Sequence, residues 1–358
     1  MEIRQATRQE KVKPEIPLNK LKLTPFLRDA GRYAAQMNIR AWLVGGAVRD
    51  FMMGKKHLDW DVTVQGNTPA LVKILAKKYR GHVRSHPRFG TFVIELAGGK
   101  HIDFATARRE TYPRPGVLPV VTFTNLRDDL YRRDFTINAL AISLDGNHPC
   151  EIVDYYGGGR DLAKKTLRIL HPKSFRDDPT RIFRLARFAA RGFRIEKNTL
   201  KFAVAGRRYL PLISAERKRE ELLAILAEPR PSAALELIAQ WKMWSDMLPG
   251  APHIADPKTI DGKKSVAERI LALVPGLDHA QRKKVFDAIK LPRAIRRDIY
   301  DRLLAMEKKP PLSGNDLIRM GYAPGPVFKT ILNALKREGI TSRRKAEKFV
   351  FDKFSRKR

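Results

Sequence analysis

Leu43-Val44-Gly45-Gly46, then twelve residues, then Asp59-Trp60-Asp61-Val62: how this stretch is read decides the fold. AWLVGGAV at 41–48 and LDWDVTV at 58–64 are short apolar runs bounded by glycine and charge, as strands are. Asp59 and Asp61 stand two apart on the second run, so both side chains leave one face of a strand. Carboxylates held that close repel each other unless a cation sits between them, and hard oxygen donors select Mg²⁺. A pair of such ions can acidify an attacking hydroxyl and clamp a triphosphate for in-line displacement. The glycine pair falls where a strand meets the helical AVRDFMMG, and its missing Cβ atoms let backbone N–H groups approach phosphates. Gly-Gly alone marks a turn, and Asp-x-Asp alone marks a solvated edge or one structural ion. The two at this spacing, with Trp60 and Val62 interleaved, are far more specific.

HIDFA at 101–105 is another alternating strand, and Asp103 lies on its polar face, where a third carboxylate could complete a metal cage. Arg132-Arg133-Asp134-Phe135-Thr136-Ile137-Asn138 follows. Arg133 and Asp134 suit a ribose, with the carboxylate accepting from a 2′-hydroxyl and the guanidinium donating to sugar or phosphate oxygens. Asp134 equally suits the N-cap of a helix over FTINALAI. Asp178-Pro179 reads as N-cap and first residue of a helix, RIFRLARFAARGF, that sets Arg181, Arg184, Arg187 and Arg191 on one side and Ile182, Leu185, Ala186 and Ala189 on the other. That arginine face is either solvated or meets RNA phosphates. Ser214-Ala215-Glu216-Arg217 opens a further helix.

The remaining composition fits a polyanion-binding protein. The chain has 358 residues with 71 Lys and Arg against 38 Asp and Glu, a formal charge of +33 that favours nucleic acid as partner. The single cysteine excludes an internal disulfide and a Cys-based zinc site. No apolar run reaches membrane-spanning length, and no secretory leader is evident, so the expectation is a cytoplasmic protein without a membrane partner. No obligate protein partner is implied. Four segments are expected. They are a basic extension over 1–22, a mixed α/β head over 23–165, a helical neck over 166–235, and a helical body with a basic tail over 236–358. The last sixteen residues hold eight Lys and Arg against two acids and read as a mobile, RNA-contacting end.

Taken together, LVGGAVRDFMMG with LDWDV, HIDFATAR, RRDFTINALAI, DYYGGGRDL, DDPTRIFRLARFAARGF and ERKREELLAIL resemble the class II tRNA nucleotidyltransferases (CCA-adding enzymes) and the related bacterial poly(A) polymerases. The matches run in family order over about half the chain. The resemblance implies a polymerase-β-like α/β nucleotidyltransferase head with a mixed sheet, followed by an all-α neck, body and tail. It implies addition of CMP and AMP to the 3′ end of tRNA from CTP and ATP with Mg²⁺. Poly(A) synthesis, or CC-only or A-only addition, is the alternative. By the same resemblance Asp59 and Asp61 hold metal and Asp103 joins them in catalysis. Gly45, Gly46, Arg49, Arg133, Asp134, Asn138 and Arg184 line the nucleotide site. Asp178 and Arg181 read the base, with Arg217 in support. Cytosine and adenine both offer an amine beside a ring-nitrogen acceptor, so one carboxylate and one guanidinium can accept both and reject uracil and guanine. A capping Asp178 must do this with its second oxygen.

Overall fold

The computed structural model describes residues 23–55, 59–145, 150–252, 256–307, 311–338, 340 and 342–354. The expected extension at 1–22 lies outside the described residues.

The head opens with α1 (Pro25–Gln36), whose Thr24 side chain accepts from Leu27 N–H as an N-cap. Then follow β1 (Arg40–Val44), α2 (Gly46–Met52), β2 (Trp60–Gln65) and α3 (Thr68–Tyr79). Next come β3 (His82–His86), β4 (Thr91–Glu95), β5 (His101–Thr106), β6 (Arg108–Thr111), β7 (Val120–Phe123), α4 (Leu126–Tyr131), β8 (Ala141–Ser143) and β9 (Ile152–Val153). Seven strands form one sheet in the order β3-β4-β5-β2-β1-β8-β9. Only β2 and β5 pair in parallel, so the sheet is mixed. Four residues of β1, Ala41 to Val44, are buried because helices and loops cover both its faces, whereas edge strand β3 is largely exposed. β6 and β7 form a separate hairpin. The helix expected over FTINALAI is not formed. Thr136–Asn138 is one 3-10 turn, and Ala141–Ser143 pairs with β1, because completing the central sheet outweighs local helical spacing.

The helical part comprises α5 (Gly158–Ala163), α6 (Ser174–Asp177), α7 (Thr180–Ala190), α8 (Lys197–Gly206), α9 (Ala215–Leu226), α10 (Pro231–Gln240), α11 (Trp244–Met247), α12 (Val266–Leu273), α13 (His279–Ala288), α14 (Arg293–Glu307), α15 (Gly314–Arg319), α16 (Pro326–Arg337) and α17 (Arg343–Lys353). SAALELIAQWKMWSDML at 232–248, helical throughout by its apolar spacing, is two helices, broken where Lys242 takes φ +55° and Met243 N–H returns to the Ile238 carbonyl. The boundary drawn at 235/236 falls inside α10, which packs on α7, and one continuous apolar core runs from Phe26 to Ile299. A smaller cluster in the head gathers Trp42, Val44, Leu126, Leu130, Ala141 and Val153, and beyond α14 a separate core gathers Leu312, Leu317, Ile331, Leu335, Ala346 and Val350. The supposedly mobile tail therefore contributes α17, an amphipathic helix that buries Ala346 and Val350, over 343–353; residues 355–358 lie outside the described residues. Among the described residues no helix is long and apolar enough to cross a membrane.

Candidate active site

A cleft of about 810 Å³ lies between the sheet's carboxylate-bearing face and α7 and α9 of the neck. Twelve of the thirteen residues expected at the site line it: Gly45, Gly46, Arg49, Asp59, Asp61, Arg133, Asp134, Asn138, Asp178, Arg181, Arg184 and Arg217. The exception is Asp103.

The head wall is built around the end of β1. Gly45 has φ +72°, and a Cβ there would stand 2.7 Å from Arg133 Nη1 and 3.8 Å from Asp61 Oδ2. Only glycine lets that guanidinium lie against the backbone beside the carboxylate. Asp59 is exposed and Asp61 half-buried, on the same face at the start of β2. Asp61 and Asp103 are register partners across the parallel β2–β5 pair, so they share this face. Asp103 nevertheless lines a neighbouring groove, with its Oδ2 3.9 Å from His101 Nε2, and among the described residues no three His, Cys, Asp or Glu side chains gather into a metal cage. The expected three-carboxylate cage is thus not assembled. Burial pushes the Asp103 carboxyl up and the charge of Asp59 adds to this, while His101 and Arg84 pull the other way. Two carboxylates still suit Mg²⁺, which takes one or two protein carboxylates and completes its shell with water and substrate phosphate.

The neck wall is already paired. Asp134 Oδ2 accepts from Arg184 Nε at 2.8 Å and Nη2 at 2.6 Å. Asp134 Oδ1 accepts from Phe135 N–H and from Asn138 Nδ2, and Asn138 Oδ1 accepts from Arg49 Nη1 at 2.6 Å. A buried relay Arg49–Asn138–Asp134–Arg184 thus ties α2 to α7. Burial acts to raise Asp134, but Arg184 and Asn138 outweigh it and hold the carboxyl well below the usual range. Arg181, expected to face a base, is 5% exposed and donates to Ser174 Oγ at 2.8 Å and to the Arg132 carbonyl at 2.6 Å. Helix α7 starts at Thr180, one residue later than expected, yet Asp178 still caps it. Its Oδ1 accepts from Thr180 N–H, Thr180 Oγ1 and Arg217 Nη2, and Asp178 lines the cleft with no hydrogen bond to Oδ2 among the described residues.

Sequence reasoning missed the hairpin's part in the site. Glu110 on β6 accepts from Arg108 and Arg132, and Arg132 and Arg133 both donate to Asp129, which is fully buried on α4. Arg217 also donates to the Gly116 carbonyl in the β6–β7 loop. No local signal announces these pairings; Glu110 and Arg132 are 22 positions apart. Arg133 Nε, Arg187 Nε and Glu221 Oε2 are buried around the cleft without a hydrogen-bond partner among the described residues, Arg187 Nε lying 3.9 Å from Glu228 Oε1.

Comparison with known proteins decides the family. Residues 41–168 match the poly A polymerase head domain, and 192–254 match a probable RNA- and SrmB-binding site of polymerase A. A CC-adding tRNA nucleotidyltransferase of Deinococcus radiodurans is 34% identical over 324 residues, covering 84% of this chain and 84% of that protein. The chain belongs to the tRNA nucleotidyltransferase and poly(A) polymerase family. An A-adding member from Aquifex aeolicus is 43% identical over 215 residues, 59% of this chain and 26% of its own length. The chain spans 24% and 53% of two further A-adding members. The Thermotoga maritima CCA-adding enzyme complexed with tRNA superposes with a TM-score of 0.66 at 25% identity, covering 94% of this chain and 98% of that one. The mixed-sheet head and helical remainder are those of this family.

Proposed function

We propose that this tRNA nucleotidyltransferase family member adds CMP and AMP, from CTP and ATP, to the 3′ end of tRNA without a nucleic-acid template. One observation carries the reading: Asp59 and Asp61 face the same cleft whose far wall presents Asp178, Arg181 and Arg217. Mg²⁺ held by Asp59 and Asp61 supplies charge neutralisation on the triphosphate and a more acidic attacking hydroxyl. Arg133, held by Asp129 over Gly45, meets the phosphates. The RNA 3′-oxygen bonds to the α-phosphorus, the bond to the bridging oxygen breaks, and pyrophosphate leaves with that electron pair. The hydroxyl proton passes to Asp103, the carboxylate that stands in register with Asp61 on the neighbouring strand. Asp178 Oδ2 takes the amine of cytosine or adenine, and the ring nitrogen takes an N–H from Arg181 or Arg217. Asp134, saturated by Arg184 and Asn138, orients the neck against the head, and it reaches a ribose only through a bond exchanged with one of them.

A second reading, addition of CC alone or A alone, is favoured by the relatives named for those partial activities. The test is to supply CTP, ATP, GTP and UTP singly and together to tRNA ending before CCA, after C and after CC. Our reading requires CMP on the first two and AMP on the third. AMP on the third alone, or CMP without AMP, replaces it with partial addition. Long A tracts on any RNA replace it with poly(A) synthesis.

A further inference from the structure

We infer that the uncovered face of strands β5, β4 and β3 carries the RNA strand being extended, with Arg84 and Lys100 contacting the phosphodiester backbone just behind its 3′ end. The inference rests on the nucleotidyl-transfer reading above and names where the second substrate lies.

The attacking oxygen and the departing pyrophosphate must lie on opposite sides of the α-phosphorus. Gly45 and Arg133, the phosphate-suited groups, stand on the β1 side of Asp61. The 3′-oxygen must then arrive from the other side, where β2 adjoins β5. Strand register shows what waits there. Asp61, Asp103, Val93 and Arg84 form one row across β2, β5, β4 and β3. His101, Glu95 and His82 form the next row, and Ala105, Thr91 and His86 the row on the other side. Helix α3 packs on these strands with Leu71, Val72 and Leu75, so it covers their opposite face.

The row ends in a groove of about 390 Å³ bounded by Arg84, Glu95, Lys100, His101 and Asp103, a size suited to a small polar group. Asp103 is thus the last residue of the groove and the nearest acid to the metal pair on that side. Glu95 lies 2.7 Å from Arg84 Nε and steadies a guanidinium that is 62% exposed. Lys100, His82 and His86 are exposed around it. Cations on an edge strand also guard it against strand pairing. That role, however, explains neither the groove nor its opening beside the catalytic carboxylates.

The experiment compares Arg84→Glu/Lys100→Glu with Lys73→Glu/Lys77→Glu, an equal charge change on α3 across the sheet. With tRNA ending before CCA, the groove variant should raise KM for RNA about tenfold and leave KM for CTP within twofold. The slope of log KM against log salt should fall by about 1.4, from two contacts at about 0.7 each on a single strand. The α3 variant should leave all three near wild type. A photoreactive side chain at position 84 should crosslink to the last three nucleotides of the RNA, and one at position 73 should not. Unchanged RNA KM, equal losses in both variants, or no crosslink at 84 while the wild type extends tRNA overturns the inference. A wild type that extends no RNA overturns the functional reading instead.

Discussion

The two walls of the cleft are built on opposite plans. The head wall sets Asp59 exposed and Asp61 half-buried beside a glycine backbone, both lining the cleft. On the neck wall Asp134 is locked to Arg184, Asp178 Oδ1 to Arg217, and Arg181 to a hydroxyl and a backbone carbonyl. Chemistry on phosphate needs charge that can be recruited, while discrimination among bases needs donors that cannot wander. An arginine fixed by two bonds presents its remaining N–H groups in one direction, so the pairing is a form of pre-organisation.

The largest expected effect tests the head wall. Asp59→Asn or Asp61→Asn should lower incorporation of both CMP and AMP by at least about a thousandfold, with RNA affinity intact. Turnover near wild type with Mg²⁺ would remove those residues from the metal site. On the neck wall, Asp134→Ala should cost about 3 kcal/mol of stability in denaturant unfolding, since Arg184 is left without its buried partner. Double-mutant cycles with Arg184→Ala should show coupling above about 1 kcal/mol; simple additivity would mean the relay does not tie head to neck. Next comes base choice, where one charge-assisted hydrogen bond is worth about 1.5–3 kcal/mol, or roughly one to two decades of selectivity. Arg181→Ala and Arg217→Ala separate two candidates for the donor. If Arg181 acts on the base, its loss relaxes selection against UTP and GTP. If it only holds the Arg132 backbone, all nucleotides suffer alike and Arg217→Ala relaxes selection instead.

Two smaller effects probe the margins of the comparison. His171 sits behind the neck wall, its ring 5.2 Å from that of Tyr131 and its Nδ1 4.0 Å from Asp177. Burial, then the charges of Arg181 and Lys173, lower its pKa to about 4. The fold favours the neutral ring. Its contribution is therefore fully present above the ordinary value of 6.5 and is lost as pH falls from 6.5 toward 4, by at most about 3 kcal/mol. His171→Gln should flatten stability over that window; an unchanged slope would locate the pH dependence elsewhere. At the chain's far end, Arg344→Ala/Lys348→Ala should weaken RNA binding about threefold without changing the melting temperature. Deleting 343–358 removes Ala346 and Val350 from their core and should lower that temperature as well. A deletion that alters binding alone would restore the tail to a solvated arm.

The local sequence determined the strands at 40–44, 60–65 and 101–106, the helices α7 and α9, and most of the polar residues that meet in the cleft. These are carried by apolar periodicity and by motifs whose members lie within a few residues, so backbone geometry alone places them. Tertiary structure decided the pairings. Three arginines of α7 and Arg191 at its C-cap lie on one side, and only the closing of head on neck gave Arg184 to Asp134 and Arg181 to the Arg132 carbonyl. It also turned 141–143 into a strand, put Asp103 in a groove beside the metal pair, and drew the Glu110 hairpin into the site. Each outcome is a choice among partners far apart in sequence, and long-range charges and register are settled by where a folded chain brings its surfaces together.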